Sequence, residues 1–295
     1  MYVWSVSELA DKRKNRLRLW VQLIWTALTN GYAVGFVKGT IFKGPSKAFC
    51  VPGLSCYSCP GALGSCPIGA LQAVLGSGRN KFGFYVLGFL LFIGALLGRF
   101  VCGWLCPFGL VQDLLYKIPF FKKRKNLPGD KILKWMKYVI LVLLVILLPL
   151  LVVDFVGQGQ PWFCKLICPA GTLMAGIPLL AANENLRAAA GSLFALKAVI
   201  LGLILLLSVW VYRPFCKYLC PLGAVYGLFH PIAFYRLKVD TDRCTRCGAC
   251  QKACKMDIPV FDKPNSMDCI RCGDCVRACP VHAITSTLSH KKTGR

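Results

Sequence analysis

The sequence predicts a membrane all-α fold of four transmembrane helices with Cys-Pro helix repeats, followed by a small α+β domain. Three observations lead there. Of the 295 residues, 56% are hydrophobic and the mean hydropathy is +0.57, above the apolar share of an ordinary soluble domain. Four apolar runs approach the ~20 residues that a helix needs to cross the ~30 Å hydrocarbon core. Basic residues gather at the ends of these runs instead of spreading evenly.

The first run, Leu19 to Val37, is interrupted by Gln22, Thr26, Thr29 and Asn30; Phe82 to Val101, Tyr138 to Phe155 and Leu196 to Val211 are more strongly apolar. Lys12, Arg13, Lys14, Arg16 and Arg18 precede the first run, and Lys117, Lys122, Lys123, Arg124, Lys125, Lys131, Lys134 and Lys137 separate the second from the third. The positive-inside rule assigns both clusters to the cytoplasmic side. Lys165 and Arg187 alone fall between the third and fourth runs, and Lys38, Lys43, Lys47, Arg79 and Lys81 lie in the first outer loop. These charges predict a multi-pass protein of the cell (cytoplasmic) membrane with both termini cytoplasmic. The expected divisions are a basic N-terminus at 1–18, a transmembrane domain at 19–235, a tail domain at 236–290 and a basic end at 291–295. Met1 to Trp20 lacks a signal-peptide pattern, so the first run is expected to stay as an anchor. The formal charge of +24 is read as a topology signal beside a lipid bilayer, with no nucleic-acid partner.

Aligning the Cys-Pro steps exposes an internal repeat. The copies are Cys66-Pro-Ile-Gly-Ala-Leu-Gln, Cys106-Pro-Phe-Gly-Leu-Val-Gln, Cys168-Pro-Ala-Gly-Thr-Leu-Met and Cys220-Pro-Leu-Gly-Ala-Val-Tyr. Proline suits the first turn of a helix, where its missing N–H costs nothing. Each step is therefore expected to start a short helix, with the cysteine at an N-terminus that favours a thiolate or an anionic group.

Of the eighteen cysteines, the last eight carry the most specific signal. Cys244, Cys247, Cys250 and Cys254 follow the spacing C-x2-C-x2-C-x3-C; Cys269, Cys272, Cys275 and Cys279 repeat it before Pro280. Three closely spaced thiolates can hold three corners of a [4Fe-4S] cubane, and the fourth cysteine of each run reaches the other cluster. The expected ligands are Cys244, Cys247, Cys250 and Cys279 for one cluster, and Cys269, Cys272, Cys275 and Cys254 for the other. Lys255 stands where a proline would follow Cys254, which removes no ligand. Over residues 236 to 290 the pattern resembles a bacterial two-cluster ferredoxin-like domain.

The other motif, C-x3-C-P, occurs at Cys102/Cys106, Cys164/Cys168 and Cys216/Cys220. With the topology above, Cys102, Cys106, Cys216 and Cys220 end on the inner side and can share one further Fe-S cluster. Cys50, Cys56, Cys59, Cys66, Cys164 and Cys168 face outside. Ala62 stands four residues before Cys66, so Cys59 or Cys56 must supply the missing partner; the preferred outer set is Cys59, Cys66, Cys164 and Cys168, with Cys56 in reserve. Disulfides stay open for the outer cysteines and free buried thiols for the inner four. No C-x-x-C-H occurs, which argues against covalent haem.

GRFVCGWLCPFG, RPFCKYLCPLG and the double tail run together resemble the polyferredoxin-type membrane proteins related to NapH, with NosR's membrane portion and the YccM group as kin. The likeness covers most of residues 20 to 290; the PGLSCYSCPGALGSCPIG loop departs from the simple motif. It implies electron transfer between the quinone pool or a cytoplasmic donor and a redox partner, such as a periplasmic reductase or a ferredoxin. Three roles stay open: a quinol dehydrogenase subunit with a quinone pocket, a conduit or anchor without a substrate of its own, and an iron or redox sensor. His230, His282 and His290 are too few and scattered for a haem or metal site. Trp20, Trp104, Trp162 and Trp210 suit membrane-interface anchors. Asp154, beside Gln158 and Gln160, is a polar helix end.

Overall fold

The computed structural model describes residues 6–77, 83–119, 123–155 and 157–287, the first ten by backbone only. Arg79, Lys81, Phe82, Lys122, His290 and the 291–295 end lie outside the described residues, as do the side chains of Lys12, Arg13 and Lys14.

Among the described residues two helices are long and apolar enough to cross a membrane, Asp130–Leu151 and Ser192–Trp210. Of the four runs the sequence suggests, the other two are broken, each for a local reason. The first helix, Val6–Thr29, ends where its polar residues turn on the backbone: Thr29 Oγ1 donates to Trp25 O at 2.8 Å and Asn30 Nδ2 to Thr26 O at 3.2 Å. Such side chains offer the backbone an alternative to continuing the helix. Leu63 N then takes the Thr29 carbonyl, and a separate short helix follows at Ala33–Lys38. In the second run, Phe84–Leu97 spans 14 residues and stops at Gly98, whose φ of +53° and ψ of −137° suit only glycine. The turn carries Arg99 N to His230 Nδ1 at 3.2 Å, and a Cβ at Gly98 would meet that nitrogen at 2.9 Å.

The long helix Asp130–Leu151 contains a π-helical stretch at Leu141–Leu147, and Pro169–Ala182 contains one at Thr172–Gly176. Each immediately precedes the turn of a proline, Pro149 or Pro178, where the wider winding accommodates a ring that can donate no hydrogen bond.

All four Cys-Pro steps start helices: Cys66, Cys106, Cys168 and Cys220 are N-caps, each with proline at the first helical position. The glycine three residues on donates its N–H to the cysteine sulfur, at 3.4 Å from both Gly171 and Gly223, with Gly69 and Gly109 in the same role. Helices Val6–Thr29 and Ser192–Trp210 pack on Pro107–Tyr116, and Pro221–Phe229 packs on Phe84–Leu97. This forms a helical body around the ten cysteines that precede the tail.

The tail is a duplicated unit. Leu237–Val239 pairs antiparallel with Ile284–Ser286, and helices Ala249–Ala253 and Asp274–Ala278 pack together. Left-handed residues recur at matching places, Arg246, Gly248 and Asp257 in one half and Arg271, Gly273 and His282 in the other.

The tail docks on the body backbone to backbone. A Cβ at Gly103, inside the Cys102–Cys106 turn, would lie 2.3 Å from Ile270 O, inside the Cys269–Cys272 turn. Trp104 donates Nε1 to Arg271 O at 3.1 Å. Arg99 reaches Met267 O at 2.9 Å, and Arg271 returns to Leu97 O at 3.1 Å and His230 O at 3.0 Å. His230 is wholly buried in this junction.

Candidate iron–sulfur centres

In the tail, Cys244, Cys247, Cys250 and Cys279 line one small pocket with Pro280, and Cys254, Cys269, Cys272 and Cys275 line a second. The fourth cysteine of each run thus stands with the other run's first three. Lys255 leaves the turn after Cys254 intact: Asp257 N donates to Cys254 O at 3.2 Å, and Lys255 Nζ reaches Asp274 Oδ2 at 3.6 Å in the other half.

In the body, Cys102, Cys106, Cys216 and Cys220 are buried and within electrostatic reach of one another. They come from repeats two and four, and their surroundings are exchanged by an approximate two-fold relation. Arg99, three residues before Cys102, lies against Gly223, 3.2 Å from where its Cβ would stand; Arg213, three residues before Cys216, lies against Gly109 at 3.1 Å. Both guanidinium groups are wholly buried. Arg99 donates to Cys216 O at 2.8 Å and Arg213 to Cys102 O, so each clamps the other repeat's cysteine turn.

The other quartet combines repeats one and three. Cys56, Cys66, Cys164 and Cys168 line a cavity of about 730 Å³. Cys56 Sγ lies 3.6 Å, and Cys168 Sγ 3.8 Å, from the Cβ position of Gly171. Here the structure departs from the set preferred on sequence: Cys59 is buried but does not line this cavity. Counting back from Cys66 assumes a helical turn, whereas residues 56–66 form a loop. A tight turn closed by Cys59 N to Cys56 O at 3.0 Å presents Cys56 to the cavity, while the Cys59 sulfur takes the N–H groups of Gly61 and Ala62. Cys50 also stands apart, its N–H on the Tyr85 hydroxyl at 3.1 Å.

The two quartets are neighbours across one wall. A Cβ at Gly53 would be 3.3 Å from Cys106 Cα, so the loop bearing Cys56 packs directly on the inner Cys-Pro turn. Tyr226, wholly buried, donates to Pro52 O at 3.2 Å and is within electrostatic reach of Cys102 and Cys106 on one side and Cys50 and Cys66 on the other.

Two glutamines that the sequence reading passed over complete these sites. Gln112 Nε2 donates to Cys216 Sγ at 3.2 Å and Gln72 Nε2 to Cys164 Sγ at 3.3 Å. Their signal is glutamine six residues after the first two Cys-Pro cysteines; that of the arginines is Arg three residues before the first cysteine in GRFVC and RPFC.

Charge offers a test of what the inner quartet suits. Asp113 is shared by Arg18 and Arg213, both at 2.5 Å, and Asp268 by Lys137 at 2.5 Å and Arg99 at 3.3 Å. In each network the cations outnumber the carboxylates, two to one about Asp113 and further about Asp268, where Lys134 also reaches in at 3.8 Å and links Asp130 with Lys217; such a buried positive excess is costly without an anion beside it. A cubane with four thiolates carries about two negative charges when oxidised, the sign of charge that this excess favours. Among the described residues no group of three or more His, Cys, Asp or Glu is close enough for a single metal ion; a cubane spaces its sulfurs more widely than one ion does.

Fold and sites define a multi-centre iron–sulfur protein with apolar helices. A family model described as a 4Fe-4S binding domain matches residues 65–85, 82–128, 138–182 and 194–238, together more than half of the chain, and the chain belongs to that family as a polyferredoxin of the NapH and YccM kind. Two further 4Fe-4S binding domain models match residues 235–256 and 263–285. Similar curated proteins include an uncharacterized protein of Methanocaldococcus jannaschii, 33% identical over 174 residues, 57% of this chain and 63% of its own length. The putative electron transport protein YccM of Escherichia coli is 27% identical over 57% of this chain and 44% of its own. The ferredoxin-type protein NapH of Haemophilus influenzae is 27% identical over 56% and 50%. The chain thus spans about half the length of the curated relatives it matches. No solved structure matches. The chain is a ferredoxin-type protein that binds several [4Fe-4S] clusters.

Proposed function

We propose that this chain is a multi-pass protein of the cell membrane that conducts electrons along a row of four [4Fe-4S] centres. The observation that carries the reading is the order of contact: the Cys254/Cys269/Cys272/Cys275 pocket abuts the inner quartet through Ile270 and Gly103, and the inner quartet abuts the Cys56/Cys66/Cys164/Cys168 quartet through Gly53 and Tyr226. A bound cluster supplies one-electron storage. The chain's own residues space the sites, exclude water and balance charge.

The membrane placement is supported by outward faces that are apolar. Leu196, Val199, Leu203 and Leu206 project from Ser192–Trp210; Ile132, Trp135, Val139 and Val142 from Asp130–Leu151; Trp20, Ile24 and Leu28 from the first helix; Phe84, Leu87 and Leu91 from the 14-residue helix. A helix facing water would be polar there. On this reading all four elements lie in lipid with both termini cytoplasmic, and the broken ones use their interruptions to bring polar backbone to buried partners.

At the outer quartet we infer a quinol site feeding the row, with a redox partner at its other end. The cavity favours it: about 730 Å³ against about 20 Å³ for each tail pocket leaves room beyond a cubane, and its walls mix Leu54, Ala70, Val74 and Leu179 with Ser55, Tyr57 and Lys197, the apolar lining with few polar groups of a cofactor site.

Anaerobic purification with iron and sulfide counts and EPR, before and after adding a quinol, tests both parts. About sixteen irons are expected, whereas about eight would leave the tail alone as cluster-binding. Cluster reduction by quinol is expected; its absence in a protein with full iron would reduce the role to a conduit between protein partners. Reporter fusions after residue 70 and at the C-terminus test the orientation, and an external C-terminus would overturn it.

A further inference from the structure

We propose that Gln72 and Gln112 are positioning residues that set the redox potentials of the two body centres, one glutamine to each, by donating N–H···S hydrogen bonds to Cys164 and Cys216. The inference rests on the four-centre reading above.

The two side chains make the same three bonds in two different places. Gln112 Nε2 donates to Cys216 Sγ at 3.2 Å and to Phe108 O, one turn back, at 3.4 Å; its Oε1 accepts from Phe215 N at 3.3 Å. Gln72 Nε2 donates to Cys164 Sγ at 3.3 Å and to Ile68 O at 3.2 Å; its Oε1 accepts from Phe163 N at 3.0 Å. Both residues are wholly buried. Phe163 and Phe215 lie in the first turns of short helices, Trp162–Leu166 and Pro214–Tyr218, where backbone N–H groups lack an intrahelical acceptor. The carbonyl of each glutamine therefore anchors the partner repeat's cysteine turn, and the amide hydrogens are divided between its own helix and the first cysteine of that turn. Two independent copies of a fully used amide are not explained by packing alone, since an apolar side chain of similar length would fill the space and leave only one N–H unpaired.

A donor to a ligand sulfur acts on potential because negative charge on that sulfur grows when a cluster gains an electron. The hydrogen bond stabilises the reduced state more than the oxidised one and raises the potential. The glycine N–H groups at Cys66, Cys106, Cys168 and Cys220 act in the same direction but are backbone, and the Arg99 side chain that reaches Cys102 also holds the tail junction, so the glutamines are the donors that a substitution removes without a change of charge.

The test is a redox titration followed by EPR on the anaerobically purified full chain in detergent. In Gln112→Met the midpoint potential of one body centre should fall while the other body centre and the tail pair stay in place; in Gln72→Met a different signal should fall. Gln112→Glu keeps an acceptor for Phe215 N–H but donates only when protonated. Its centre should therefore assemble and show a pH-dependent potential that the Met variant lacks. Unchanged potentials with full iron content, or both Met variants moving the same signal, would overturn the proposal. Loss of the affected centre in both the Met and Glu variants would reduce the glutamines to holding the turn, which also overturns it. A wild-type protein with about eight irons instead would sink the four-centre reading itself, an outcome readable before any variant is made.

Discussion

Around Cys102, Cys106, Cys216 and Cys220 two guanidinium groups are wholly buried and each reaches across to the other repeat's turn, whereas around Cys56, Cys66, Cys164 and Cys168 the cations are Lys197, whose Nζ sits 3.1 Å from Cys164 O, and Lys47 beside Cys56. The position of Arg213, three residues before the first cysteine, is occupied in repeat three by Pro161, which lines the outer cavity. Both quartets are built from Cys-Pro helix starts, glycine N–H donors and a glutamine. The same skeleton thus serves two environments, one closed and electrostatically compensated, the other open to a large cavity. On the proposed reading, the difference teaches that the inner site holds an anion permanently and the outer one admits a second molecule beside its cysteines.

The largest effects should come from the cysteines. Cys106→Ala should lose the inner centre, about four irons of about sixteen, and unchanged iron would refute the grouping. In the outer quartet, Cys56→Ala should lose a centre and Cys59→Ala should not; the reverse result would return the outer site to the set preferred on spacing. This pair tests the comparison most directly, because it asks whether the loop geometry or the residue count decides the ligand.

Next in size is Gly103→Val. The approach of Ile270 O leaves no room for a side chain, so the tail should undock while the outer quartet keeps its centre. Limited proteolysis near residue 236 and slowed electron exchange between tail and body signals would report it; tail protection equal to wild type would argue that the contact is dispensable. Arg213→Met leaves Asp113 paired with Arg18 but removes three buried charge-assisted hydrogen bonds, two to Asp113 and one to Cys102 O; it should destabilise the inner half by about 3–5 kcal/mol and lower its cluster occupancy. Lys197→Met, the outer counterpart, removes one hydrogen bond from a partly exposed side chain and should cost about 1 kcal/mol or less. Equal losses in the two variants would erase the contrast in charge compensation.

What the sequence could show follows from range. The tail sites depend on spacing within runs of eleven residues, Cys244 to Cys254 and Cys269 to Cys279, and so were readable. The inner quartet joins elements more than a hundred residues apart, and its pairing came from counting repeats. The choice between Cys56 and Cys59 lay in the path of a loop with no regular period, which spacing cannot report. The span lengths failed for a related reason: apolar composition runs through Gly98 without a mark, although the backbone there turns to bring Arg99 to His230. Arg99, Arg213, Gln72 and Gln112 did carry a signal at constant offsets from the cysteines, but isolated polar residues in apolar runs read as interruptions until their partners are known.

A further effect belongs to pH and again separates the two halves. Burial, with Arg271 and Arg99 alongside, pushes His230 down from its usual 6.5 to about 2, and Asp268 only partly opposes this. Its Nδ1 accepts from Arg99 N, a bond that needs the neutral ring. Because the folded state resists a proton that the unfolded chain binds below about 6.5, the contribution of His230 is fully present above that pH and is lost as pH falls from 6.5 toward 2. By pH 5.5 the loss should reach about 1.4 kcal/mol at most. Thermal midpoints between pH 7.5 and 5.5 should therefore fall more steeply for wild type than for His230→Asn, which keeps an acceptor but does not titrate. The difference should appear in tail docking and the inner signal, since His230 sits against Arg99 and Arg271. Identical pH slopes in the two proteins would show that the junction is stabilised by its arginine and backbone bonds alone.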